Sequence, residues 1–136
     1  MSEIRSFRDL EVWKKSMSLA EHVYGVLRKF PAEERFGLAD QLRRAVISIP
    51  SNIAEGRGRG SAKDFSNFLC MARGSLNEVV TQLELAKRLG YLQSGSGLYE
   101  ETMAIGKMLN AMIKRLRTKP VESRTPIPES YPLPKT

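Results

Sequence analysis

Arg57 and Arg59 alternate with Gly56, Gly58 and Gly60, Lys63 follows, and the three cations are the residues of this chain best spaced to hold a phosphate. Three cations beside the unpaired N–H groups at a helix start make an anion site that needs no catalytic group. No β-strand precedes the run, so it is not the glycine loop of a dinucleotide fold. Gly106-Lys107 is followed by Met108 where a P-loop carries Ser or Thr. A structural reading stands beside the phosphate one: the glycines end one helix, Ser61 starts the next, and the arginines keep the turn soluble. Arg43 and Arg44 extend the candidate nucleic-acid-binding set along the preceding helix, and Arg73 adds a cation on the one that follows. Lys107 and Lys114, seven apart, face away from their own apolar stripe. Lys114, Arg115, Arg117 and Lys119 crowd a helix carboxyl end, where the dipole alone favours cations.

Other chemistry is thinly represented. His22 is the only histidine and Cys70 the only cysteine, so the chain has no Cys/His set for zinc, no choice of histidine for a Ser-His-Asp triad and no internal disulfide. His22 falls in a polar arc with only Glu21 and Ser18 near it in sequence, and reads as a solvated surface residue. Glu78 and Glu84 have neither i/i+4 spacing nor a Glu-x-x-His pattern, which disfavours a di-iron bundle. Asn52, beside Pro50, reads as a backbone-bonding residue. The expectation is a non-enzyme without cofactor or metal.

These residues need elements to position them. The chain has 136 residues, 22 Lys plus Arg against 15 Asp plus Glu, and a net charge of +7. Its pI near 9.8 suits a polyanionic partner and equally suits a solvated basic face. Five of the seven prolines lie beyond Lys119, so residues 1–118 are expected to fold and 119–136 to form a disordered Pro-rich tail. The charged amino terminus does not resemble a secretory signal and no apolar stretch is long enough for a membrane span, so the protein is expected in the cytoplasm.

Breaks at Phe30-Pro31-Ala32, Glu55–Ser61 and Gln93–Gly97 divide the body into four segments, each with helical periodicity. Their stripes are Leu10, Trp13, Met17, Ala20, Tyr24 and Leu27; then Leu38, Leu42, Ala45, Ile49 and Ile53; then Phe65, Phe68, Ala72, Leu76, Val79, Leu83 and Ala86; then Leu98, Ile105, Leu109, Met112 and Leu116. Four such helices joined by short turns predict an all-α, antiparallel four-helix bundle. Ser61 with Asp64 predicts a helix start, Gly90 a stop, and Pro50 a kink near Val46.

Helix one carries a second apolar line, Val12, Leu19, Val23 and Val26, about 125° around from the first. A monomeric bundle needs one apolar face, so this line is expected to be covered by another subunit. A wide core face in a tightly packed bundle is the alternative.

Several separated strings occur in order: Phe7-Arg8-Asp9-Leu10-Glu11-Val12-Trp13, Val23-Tyr24, Phe36-Gly37-Leu38, Gln41-Leu42-Arg43-Arg44-Ala45, Ser48-Ile49-Pro50-Ser51-Asn52-Ile53-Ala54-Glu55-Gly56, Leu89-Gly90-Tyr91-Leu92 and Ile105-Gly106-Lys107-Met108-Leu109-Asn110. Over about residues 7 to 117 the chain resembles the bacterial four-helix-bundle family of proteins encoded in intervening sequences of large-subunit ribosomal RNA genes. The resemblance implies an up-down bundle assembled as a homopentamer, with no catalytic activity. A structurally related accessory variability protein of diversity-generating retroelements forms a basic pentameric barrel that binds nucleic acid and a reverse transcriptase, which is analogy of fold alone. The reading is a non-enzymatic oligomer binding RNA or DNA non-specifically through basic surfaces. The competing reading is a protein-interaction scaffold with no nucleic-acid role.

Overall fold

Several of the helical segments begin where a side chain accepts from a free N–H group. The computed structural model describes residues 4–118. The segment from 119 on, expected to be the Pro-rich tail, lies outside the described residues. A short 3-10 turn, Phe7–Asp9, leads into α1 (Glu11–Leu27), and a second, Ala32–Glu34, leads into α2 (Leu38–Gly58), followed by α3 (Ala62–Arg88) and α4 (Leu98–Thr118). There is no strand among the described residues.

In the first turn Ser6 Oγ accepts from the Arg8 N–H, while the Asp9 carboxylate accepts from Arg5 and Ser6. Those two backbone N–H groups hold the Asp9 carboxyl below the usual carboxylate range. Ser61 Oγ accepts from Asp64 N and caps α3 as expected. Gly90, at φ 85°, ends α3: the Gly90 N–H bonds to Lys87 O and the Tyr91 N–H to Ala86 O. These are the paired bonds of a left-handed helix stop.

Glu34 starts α2 without a Ser or Asp cap. One carboxylate oxygen accepts from Leu38 N at 3.0 Å, and the other accepts from the Tyr91 hydroxyl at 3.0 Å. The second bond pushes the Tyr91 hydroxyl above its ordinary pKa of 10.0, because a protonated phenol is needed to donate it. The same ring packs 5.3 Å from Phe30, tying the α1–α2 connection to the end of α3.

The core sits between the four helices, with Leu19, Val23, Leu42, Val46, Ile49, Ile53, Leu69, Ala72, Val79 and Leu109 fully buried. The stripes expected for α2, α3 and α4 supply most of it. Phe65, Phe68, Met112 and Leu116 are only half-buried, while Val46, Leu69 and Ile113, omitted from the expected stripes, are buried. α2 runs through Pro50 to Gly58. Asn52 Nδ2 donates to Ser48 O at 2.8 Å, a backbone bond as expected, though not to the carbonyl that Pro50 leaves free.

For α1 the two stripes exchange roles. Val12, Leu19 and Val23 are 2%, 0% and 0% exposed and Val26 packs partly buried against the core, so this line cannot be the subunit surface assigned to it. Of the stripe expected in the core only Leu27 is buried; Met17 and Tyr24 are exposed and Trp13 is half-buried, edge-on to Phe7. The physical reason is Ser16. It is fully buried, fills the seven-residue gap between Val12 and Leu19, and satisfies its hydroxyl by donating to Val12 O at 2.7 Å. A serine that bonds to its own helix passes as part of an apolar face, and the slim Val and Leu side chains then fit between neighbouring helices better than Trp, Met and Tyr.

α2 and α3 approach closely at Gly56. A Cβ there would lie 2.6 Å from Phe68 Cβ and 3.2 Å from the Phe65 ring. Gly56→Ala should therefore destabilise the fold by about 1–3 kcal/mol despite alanine's better helix propensity. Gly58→Ala, whose Cβ would meet nothing within 4 Å, should be neutral or stabilise by up to about 1 kcal/mol. Urea unfolding of the two variants measures the contrast.

Candidate nucleic-acid interface

Because α2 continues to Gly58, only Arg59, Gly60 and Ser61 separate it from α3. The glycine run is therefore helix for most of its length, and its cations are not gathered into a cradle. Arg57 Nη2 donates to Ile4 O at 3.5 Å. Arg59 pairs with Glu55 at 2.9 Å and lies 4.9 Å over the Phe68 ring. Lys63 stands in the first turn of α3, half-buried, with no ion pair among the described residues. Arg43 and Arg44 share one acid, Asp40, at 3.8 and 3.0 Å, and the Arg43 guanidinium also lies 5.8 Å over Tyr24. Four of the five candidate residues are thus engaged by neighbours on or beside α2.

A positive surface free of acids lies elsewhere, along the seam between α3 and α4. From Phe65 to Asn77 of α3 and from Thr102 to Thr118 of α4 there is no Asp or Glu, while those stretches carry Arg73, Lys107, Lys114, Arg115 and Arg117. Two arginines bridge the helices. Arg73 Nη1 donates to Asn110 Oδ1 at 2.9 Å, and Arg117 donates from Nε to Ser66 Oγ at 3.1 Å and from Nη2 to Asn67 Oδ1 at 3.0 Å. Arg73 Nη2 also lies 3.7 Å from Cys70 Sγ. Lys107, Asn110, Lys114 and Arg117 follow one another at helical spacing of three and four, so Lys107 and Lys114 share the face on which Asn110 meets Arg73. None of Arg73, Lys107, Lys114 and Arg117 has an ion-pair partner among the described residues.

Sequence reading noted Arg73 on one helix and the pair Lys107 and Lys114 on another, and missed their union. The acid-free composition of the two stretches is visible in the sequence. That Asn67 and Asn110 would take the arginines depends on the register between α3 and α4, which no local pattern encodes.

His22 also differs from expectation. It is one-third exposed and bonded through Nδ1 to the Glu101 carboxylate of α4, a partner 79 positions away. No group of metal-ligating residues occurs among the described residues. A cleft of about 360 Å³ opens between the end of α3 and the start of α4, floored by Val80, Leu83 and Leu98, with Glu84 on its edge already paired with Arg88. Of its hydroxyls, Ser96 Oγ accepts from Leu98 N and Thr102 Oγ1 donates to Tyr99 O. Among the described residues no helix is long and apolar enough to cross a membrane.

Residues 8–111 match the model of the 23S rRNA-intervening sequence protein family. The chain belongs to that family. It is also similar to the crystal structure of a protein of unknown function from the S23 ribosomal protein family of Bacteroides thetaiotaomicron, with 29% identity over 76% of this chain and 98% of the other, and a TM-score of 0.70. No curated protein matches the chain. Neither the family description nor the related structure names an enzymatic activity.

Proposed function

We propose that this intervening-sequence family member is a non-enzymatic bundle that binds nucleic acid through phosphate contacts on the α3–α4 seam. The observation that carries the reading is the acid-free face of Arg73, Lys107, Lys114 and Arg117, which concentrates much of the chain's +7 charge on one surface. Exposed lysines beside guanidiniums already held in place by carboxamides attract a polyanion from a distance and then contact its oxygens. Contacts to phosphate carry no sequence information, so binding is non-specific in sequence. The order of cross-helix contacts, Tyr24 with Arg43, Ser48 with Ser75, Arg73 with Asn110 and His22 with Glu101, supports the up-down arrangement expected of the bundle.

Fluorescence anisotropy of labelled RNA and DNA, titrated at several salt concentrations, tests the reading. Four phosphate contacts predict a log-log salt slope of roughly −3 to −4. Lys107→Ala and Lys114→Ala should each weaken binding and reduce the slope by about 1. Arg44→Ala and Arg59→Ala, at residues paired with Asp40 and Glu55, should leave both affinity and slope unchanged. Binding lost in the α2 variants and kept in the lysine variants would reject the seam.

A second reading, self-assembly, has its own observation. Met17 and Tyr24 of α1 and Ile47 of α2 are 38%, 38% and 45% exposed, with Tyr24 beside Arg43 one turn before Ile47. This is the apolar face that α1 leaves outside the core, and it replaces the valine line as the surface for a second copy, in a ring of the kind the family resemblance suggests. Met17→Asp with Ile47→Asp should keep the helical content and reduce the particle mass measured by light scattering. An unchanged mass would remove this face from the assembly.

A further inference from the structure

The seam differs from a mixed polar surface in offering donors and almost no acceptors. Asn110 Oδ1 is taken by Arg73 and Asn67 Oδ1 by Arg117, so each carboxamide keeps its NH2 group for an outside partner. The orientation is forced, since an amide nitrogen turned toward a guanidinium would set donor against donor. Lys107 and Lys114 add ammonium groups, and both guanidiniums retain N–H groups not used between the helices. Between Lys107 and Arg117, and between Asn67 and Arg73, the outward face of the seam has no aromatic side chain; Phe68, in the second stretch, is turned to α2, where it meets Gly56 and Arg59. The nearest exposed ring along α4 is Tyr99, two helical turns before Lys107 and next to Glu100 and Glu101.

We infer that the seam takes the phosphate backbone of a double helix, in preference to a single strand, resting on the phosphate-binding reading above. A duplex seen from outside presents acceptor oxygens at regular intervals, which a donor-only surface matches. A single strand is held chiefly by stacking its bases on aromatic rings, about 1–3 kcal/mol per base, and the seam has none to offer. The spacing agrees. Lys107 to Arg117 spans about 15 Å of helix, and along that length of its axis one duplex strand carries about four phosphates. The seam places Arg73, Lys107, Lys114 and Arg117 against them. The two guanidiniums are held by Asn67, Ser66 and Asn110 before binding, so that part of the array is ordered in advance, and a regular backbone meets it without the ordering cost a flexible strand carries.

The test compares duplex DNA, duplex RNA and single strands of equal length in anisotropy titrations with the full chain, each duplex in a G·C-rich and an A·T-rich version. Both base compositions should bind alike, and duplexes should bind about sixfold more tightly than single strands near 0.1 M salt, from their larger counterion release. The two duplex arms show whether the A-form or the B-form backbone fits better. Asn110→Asp, which turns a donor into an anion at an exposed position, should abolish duplex binding while circular dichroism stays unchanged. Asn110→Ala, which removes the donor without adding charge, should weaken it less. Single strands binding as tightly as duplexes, and losing that affinity in Tyr99→Ala, would overturn the inference while leaving phosphate binding in place. Failure of every nucleic acid to bind at low salt would overturn both.

Discussion

At Gly56 the backbones of α2 and α3 come so close that a single Cβ would collide with Phe68, and the placement of the other elements follows from that approach. With the helices pressed together, Ser48 meets Ser75 further along the pair, and the Arg59 guanidinium lies over the Phe68 ring at its end. α3 therefore turns Leu69, Ala72, Leu76 and Val79 to the core and leaves Asn67, Cys70 and Arg73 along its border with α4. The seam is a consequence of packing on the opposite side of α3.

Small hydroxyl residues complete the faces that pack. Ser16 donates to Val12 O and Thr102 to Tyr99 O, each filling a gap of seven between apolar residues on one helix, and Ser66 is buried with bonds to Lys63 O and from Arg117. Because each bonds to its own helix backbone, it enters the core without an unsatisfied group. This chemistry marks the limit of pattern reading here. Periodicity located all four helices and most of the buried positions in α2, α3 and α4, and cap chemistry placed the start of α3 and its stop at Gly90. In α1 two stripes competed, and a rule that counts serine as polar chose the wrong one. The glycine run read as a loop because three glycines within five residues are unusual in a helix; Gly56 is there for proximity and not for freedom.

The candidate site was legible in composition and not in geometry. Acidic residues stand at i−3 or i−4 to Arg43, Arg44 and Arg59, a spacing readable in the sequence that predicts their pairing with Asp40 and Glu55. Weighed that way, those arginines are partly neutralised by acids on their own helix. Arg73 and Arg117 have no acid in reach on their own helices and find carboxamides on the facing one, a pairing set by tertiary register alone. His22 and Glu101 follow the same rule, since residues so distant in sequence meet only once α1 lies beside α4.

The central claim is that polyanions meet this protein along α3 and α4 and not at the arginine-rich end of α2. Nuclear magnetic resonance of the full chain titrated with a short duplex tests it most directly, through backbone amides and arginine Nε–H signals. The account predicts shifts that cluster at Arg73, Lys107, Asn110, Lys114 and Arg117 and fade as salt is raised, with Arg44 and Arg59 undisturbed. Shifts centred on Arg43, Arg44, Arg57 and Arg59, with the seam silent, would contradict it.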